Sequence, residues 1–308
     1  MVAAAARHRT GEPRAPLAAR RARTAWLFLL PMLAILAAVA GWPLLRTAGF
    51  AFTDAYLADL AAARWVGFEN FAFALTDPGW WNAVWNTLVF TVLTVSLQFA
   101  LGLVIALALN RRFRGRGPLR AIVLIPWAVP TVVSAQMWRW MYHDVYGVVN
   151  DLMLRLGLIE APVAWLAGGA TAMAAVVITD VWKATPFMAL LLLAGLQTIP
   201  AQLYEVARVD GVGPIRTFLH ITLPLLRPAI AVALIFRTLD ALRVFDLIYV
   251  MTSNAEATAT VSVYARQQLI DFQDVGYGSA VSMLVFVLVG LVSVAYVAGL
   301  RPGFAVRT

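Results

Sequence analysis

The segment Gln197–Pro224, QTIPAQLYEVARVDGVGPIRTFLHITLP, separates two long apolar runs at about residues 171–195 and 229–252. Each run exceeds the roughly 20 apolar residues that a helix needs to cross a bilayer, so the polar interlude is a loop between two spans. The loop carries its own helical signals. Pro200 suits a first helical turn, where its missing N–H costs nothing, and Leu203, Val206 and Ala207 then recur at helical spacing. Asp210-Gly211 ends that helix, and Gly213-Pro214 starts a second short helix running towards Pro224. The whole of 196–228 is therefore expected to be a rigid knob of helix, tight turn and helix.

Working outward, the chain of 308 residues is 62% hydrophobic and only 13% charged, against about half and a quarter in soluble domains. Six apolar runs fit the membrane: about 24–49, 83–109, 120–141, 171–195, 229–252 and 278–300. The fold class expected is an all-α polytopic bundle of six transmembrane helices, with its core over 82–300. Cysteine is absent, which excludes disulfides, thiolate metal sites and cysteine nucleophiles. The formal charge of +8 is almost wholly arginine, Lys183 being the only lysine.

That excess reads as topology rather than nucleic-acid binding. Arg7, Arg9, Arg14, Arg20, Arg21 and Arg23 precede the first span, in a basic tail over 1–23, and Arg111, Arg112, Arg114, Arg116 and Arg120 lie between the second and third. Both segments are expected inside. With both termini cytoplasmic, Arg208, Arg216, Arg227, Arg301 and Arg307 also fall inside, while the outer loops are mostly acidic. A cleaved signal peptide is the weaker alternative, because the run from Trp26 to Leu45 is longer than a signal core and no small-residue cleavage pattern follows it.

The loop resembles the signature of importer permeases of the ATP-binding-cassette class: Glu-Ala-Ala, three residues, Gly, nine residues, Ile-x-Leu-Pro. Glu205, Ala207, Gly211, Ile221, Leu223 and Pro224 stand at that spacing, with Val206 in place of the first alanine and Asp210 before the glycine. The resemblance implies the type I importer fold, with this loop as a cytoplasmic coupling helix that docks on an ATPase subunit. It further implies a heterodimer with a second, homologous permease, two cytoplasmic ATPase subunits that bind ATP and Mg, and an extracytoplasmic sugar-binding protein. This chain would bind no cofactor or metal itself, touch membrane lipid but no nucleic acid, and reside in a bacterial inner or plasma membrane. Without the signature, Glu205 would be read as pairing with Arg208 along its own helix.

The resemblance is nearest to maltose/trehalose-type sugar permeases. It extends through Val66–Phe71, Asn86-Thr87, Gly117–Arg120, Gly147–Asn150, Val181–Phe187 and Arg237–Tyr249, in the family's order. The loop Thr252–Thr258 departs from it by lacking the usual glycines. Such a permease is not an enzyme, and no nucleophile–base constellation or phosphate-binding loop is present in the sequence.

Charges inside apolar spans face a cavity or one another. The fourth span carries Asp180 and Lys183, and the fifth Arg237, Asp240, Arg243 and Asp246, three residues apart with alternating sign. Counting 1.5 Å per residue from the cytoplasmic ends puts Lys183 and Asp240 at similar depths, about 18 and about 16 Å. A Lys183–Asp240 salt bridge is expected, with Asp180 and Asp246 as competing partners. Trp182, Phe187, Phe245 and Tyr249 lie beside these charges, where they either stack on sugar rings or pack the bundle. Pro126, Pro130 and Pro186 interrupt the third and fourth spans, as breaks near a substrate path do.

The function expected is a permease subunit importing a disaccharide or oligosaccharide. Two alternatives remain: an ion-coupled secondary transporter using the intramembrane charges as a relay, and an importer of the same class for a glycerol phosphate ester or polyol.

Overall fold

A computed structural model describes residues 17–111 and 113–300. Arg7, Arg9, Arg14, Arg112, Arg301 and Arg307 lie outside the described residues, as does most of the basic tail. The chain divides into two units, 1–49 and 50–308. The first is a helix: α1 (Leu17–Leu36), one π-helical turn (Ala37–Gly41) and α2 (Trp42–Phe50), whose last residue opens the second unit. The π turn falls just before Pro43, which has no N–H for the Val39 carbonyl.

The second unit begins with α3 (Glu69–Thr76) and the long α4 (Pro78–Asn110), whose N-cap Asp77 accepts from the Gly79 N–H. Next come α5 (Arg116–Ala128), α6 (Thr131–Met141), α7 (Val148–Arg155) and α8 (Gly169–Gln197). The short α9 (Ala201–Val209) and α10 (Pro214–Thr217) lead through a π turn (Phe218–Thr222) into α11 (Leu223–Leu242). The chain finishes with α12 (Asp246–Thr252), α13 (Val261–Arg266), a π turn (Gln267–Asp271) and α14 (Val275–Leu300).

Among the described residues, five helical stretches are long and apolar enough to cross a membrane: 21–50, 78–110, 169–197, 214–242 and 275–296. A sixth span arises if α5 and α6 count as one, bent by 86° at Val129-Pro130. Proline drives the preceding residue out of the helical region, and Val129 is accordingly extended, with φ −72° and ψ 133°.

Packing centres on α4 against α8, with α11 laid across both. Small residues permit the close approach. A Cβ on Gly102 would lie 2.7 Å from Met188 Cγ, and one on Gly195 would lie 2.3 Å from Ala229 Cβ. Phe90, Val176 and Ile248 fill one apolar cluster, and Met188, Leu192 and Leu226 a second. At one end α4 also holds the loop after α12: Asn86 Nδ2 donates to the carbonyls of Glu256 (2.9 Å) and Ala259 (3.1 Å), and Thr87 Oγ1 accepts from the Val261 N–H at 3.0 Å.

Two expectations need correction. The fifth long helix ends at Leu242, so Arg237 and Asp240 ride on α11, Arg243 sits in the break and Asp246 opens α12. The second loop helix does not stop towards Pro224 but runs on into α11, because the π turn widens the backbone where Pro224 has no N–H to offer the His220 carbonyl.

Candidate functional site

The kink at Val129, the break at Arg243 and the face of α8 between them enclose a cavity of about 880 Å³. Asp180, Lys183, Phe187, Arg237, Asp240, Arg243, Phe245 and Asp246 all line it, together with Trp127. One wall is a buried polar network that ties three helices. Arg237 Nη2 donates to Asp180 Oδ2 at 2.9 Å, and Gln98 Nε2 donates to the same oxygen at 2.8 Å. Gln98 Oε1 accepts from Arg237 Nε at 2.7 Å. Arg237 Nη1 reaches the Asp240 carboxylate, whose side chain is 65% exposed on the cavity side. Asp180, Arg237 and Gln98 thus satisfy one another out of water, the condition under which buried charge is tolerated, while Asp240 meets the guanidinium from the exposed side.

Lys183 does not pair with Asp240. Its Nζ donates to the Val129 carbonyl at 2.6 Å. The kink before Pro130 releases that carbonyl from helical bonding, and an unsatisfied carbonyl in an apolar phase is costly, so the ammonium meets it while Arg237 takes Asp240. Gln98 was not singled out from sequence, although an amide in the middle of the apolar run of α4 was the available signal. Trp127 was missed as well; it stacks on Phe187 with centroids 5.5 Å apart and planes 14° apart.

Among the aromatics singled out, Phe187 and Phe245 face the cavity, while Trp182 and Tyr249 lie outside its lining. Trp182 packs edge-on against Trp138, and Tyr249 lies between Phe245 and the Arg266 guanidinium.

At one end of the bundle stands the second feature, the α9–α10 knob. α9 closes in a Schellman motif: the Val212 N–H donates to the Ala207 carbonyl (2.8 Å) and the Gly211 N–H to that of Arg208 (3.1 Å), with Gly211 at φ +67°. Ala207 is buried beneath α9, and Tyr204 Oη meets Thr222 Oγ1 at 3.2 Å, pinning the two halves of the knob together. Ile221, Leu223 and Pro224 are half-buried at the base. The outer surface is apolar and open: Val206 is 58%, Val209 87% and Ile215 73% exposed. Glu205, Arg208 and Asp210 rim it. Arg208 Nε turns to the Tyr204 carbonyl at 3.5 Å rather than to Glu205.

At the other end, Tyr264 Oη and Tyr277 Oη both donate to Asp77 Oδ2, the second at 3.1 Å, joining the start of α4 to α13 and α14. Burial pushes the Asp77 carboxyl up, but the donors from Tyr264, the Gly79 amide and Tyr277 outweigh it and hold it below the ordinary value. Burial first, and then the bond to Asp77, pushes the Tyr264 phenol up to about 12.

A bundle of long apolar helices with a charged internal cavity and an exposed two-helix knob defines a polytopic membrane transport subunit. The model of the binding-protein-dependent transport system inner membrane component family matches residues 98–304, and the chain belongs to that family. It is 45% identical over 278 residues to the trehalose/maltose transport system permease protein MalF of Thermococcus litoralis, covering 90% of this chain and 93% of that one. It is 42% identical to the sulfoquinovosyl glycerol transport system permease protein SmoG of Agrobacterium fabrum, covering 89% of each. Among solved structures, a chain of the bacterial alginate transporter in complex with a pentasaccharide-bound periplasmic protein superposes with a TM-score of 0.80. At 23% identity and coverage of 93% of this chain and 96% of that one, the likeness establishes the shared fold.

Proposed function

We propose that this chain is the sugar-translocating permease subunit of an ATP-driven importer. It works with a second permease, two ATPase subunits that bind ATP and Mg, and an external binding protein that delivers the sugar. The observation that carries the proposal is mechanical: α10 and the cavity wall belong to one helical stretch, 214–242, and α9 is pinned to that stretch through Tyr204 and Thr222. A body gripping Val206, Val209 and Ile215 moves Arg237 and Asp240 along with it. Glu205 supplies a charge at the rim for a cationic partner group. Both termini and the 196–228 loop are then cytoplasmic, consistent with Arg111, Arg114, Arg116 and Arg120 at the same end as that loop.

Sugar is favoured as substrate by the relatives at 45% and 42% identity, named for trehalose/maltose and sulfoquinovosyl glycerol. The cavity suits such a solute. Its charged lining, Asp180, Lys183, Arg237, Asp240, Arg243 and Asp246, sums to zero, so no net field rejects an uncharged molecule. Trp127, Phe187 and Phe245 add aromatic surface. Asp180 and Arg237 spend their bonding on each other, on Gln98 and on one oxygen of Asp240, which leaves Arg243, Asp246 and the exposed side of the Asp240 carboxylate to meet hydroxyls.

The test is co-purification with the cognate ATPase subunit. Replacing Glu205 by Ala, and separately Val209 by Asp, is expected to release the ATPase while leaving the two permeases together. Retention of the ATPase by both variants would overturn docking at the knob.

A further inference from the structure

A smaller pocket, about 360 Å³, lies where the end of α4, the first turns of α5 and the start of α9 converge. Its polar lining is Asn110, Arg116, Arg120, Gln197 and Tyr204, with no carboxylate among them. Two guanidinium groups share the space, and neither has an ion pair among the described residues. Arg120 is only part-committed: Nη2 donates to the Leu109 carbonyl at a long 3.3 Å, while its Nε is buried with no hydrogen-bond partner. A buried donor on a fixed cation is costly to leave unmade, and two like charges lining one small pocket favour an anion between them.

Glu205, the nearest acid along α9, lines the adjoining cavity with Arg111 and Arg208 instead. Topology signalling accounts for arginines at the membrane surface, but not for two of them lining one pocket that holds no acid. Guanidinium donors in a fork, beside amide and phenol groups, form the chemistry that recognises phosphate.

We infer that this pocket binds a phosphate group, supplied either by the headgroup of an anionic phospholipid or by a soluble phosphate. The pocket lies where the long α4 ends and α5 begins, the place for lipid headgroups to reach it, and it is also open enough to admit a free anion. Because Ala201 and Tyr204 line it, the bound group rests against α9. This inference does not depend on what docks on that helix.

The purified full chain, in neutral detergent, is titrated with phosphatidylglycerol and with phosphatidylcholine and followed by native mass spectrometry, with inorganic phosphate as a separate arm. Phosphatidylglycerol should be retained and phosphatidylcholine not, with affinity falling about fivefold for Arg116→Gln and again for Arg120→Gln, as expected for one basic contact each. Arg114→Gln, in the same loop but outside the lining, should bind like wild type. Arg116 is half-buried on the first turn, so Arg116→Gln keeps the test intact if Arg120→Gln fails to fold. Binding of inorganic phosphate with the same dependence on Arg116 identifies the soluble source; lipid binding without it identifies the headgroup. Equal affinity of wild type and Arg116→Gln, loss of the same size in Arg114→Gln, or no preference for phosphatidylglycerol or inorganic phosphate over phosphatidylcholine, whose phosphate its own choline neutralises, would overturn the inference.

Discussion

Arg237 Nη2 lies 2.9 Å from Asp180 Oδ2, with both side chains almost fully shielded, so α8 and α11 are joined by a charge pair in the apolar interior. Removing one partner leaves the other buried and uncompensated, which costs about 3–5 kcal/mol. Arg237→Met and Asp180→Leu are each expected to lower thermal stability sharply. The double variant, in which neither charge survives, should be more stable than either single one. Thermal unfolding of the purified chain, assembled as a double-mutant cycle, checks this; simple additivity of the two losses would contradict it.

Lys183 acts on the backbone rather than on an acid. With its Nζ 2.6 Å from the Val129 carbonyl, Lys183→Met leaves that carbonyl unsatisfied at the kink, a cost of about 1–3 kcal/mol. Lys183→Arg retains a donor and should keep most of the stability. Equal behaviour of the two variants in unfolding would show that the carbonyl bond contributes nothing.

Much of the knob was legible in sequence because its signals are local. Pro200, Asp210-Gly211 and Gly213-Pro214 act on their own backbone, and the structure places Gly211 at φ +67° where a glycine is needed. Pro130 likewise marks the kink. The end of α11 had no such mark: Leu239–Phe245 contains no proline or glycine. The partner of Lys183 was illegible for a related reason. A carbonyl 54 residues away carries no residue-type signal, whereas Asp240 does, so pairing by charge and depth favoured the wrong acceptor. Which aromatics face the cavity depends on rotational phase about α8 and α12, and Trp182 and Tyr249 fell on the other side.

Gly211 and Gly195 should respond to alanine for different reasons. At Gly211 the strain is in the backbone, about 1–2 kcal/mol for a residue with a Cβ in the left-handed region, and there is open space around it. At Gly195 the added methyl would meet Ala229 Cβ at 2.3 Å, overpacking the α8–α11 crossing by about 1–3 kcal/mol. Gly211→Ala should therefore weaken the knob with little change in global unfolding, while Gly195→Ala lowers the melting temperature. Hydrogen exchange over 201–217, set beside a thermal melt, separates them; a reversed pattern would refute the assignment.

The Asp77 latch is acid-sensitive. Its carboxyl is held below its value in the unfolded chain, about 3.9, so its stabilising contribution is complete above that pH and drains away as pH falls through the lower folded value. Stability should drop below about pH 4 in wild type, and this component of the drop should vanish in Asp77→Asn. An identical acid limb in both proteins would remove Asp77 from the account.

Uptake of a labelled disaccharide into vesicles holding the reconstituted complex tests the central claim most directly. Uptake should require internal ATP and the ATPase subunit, and should persist when ionophores collapse the proton and sodium gradients. Uptake that continues without ATP and stops with the ionophores would contradict the account and make the chain an ion-coupled carrier.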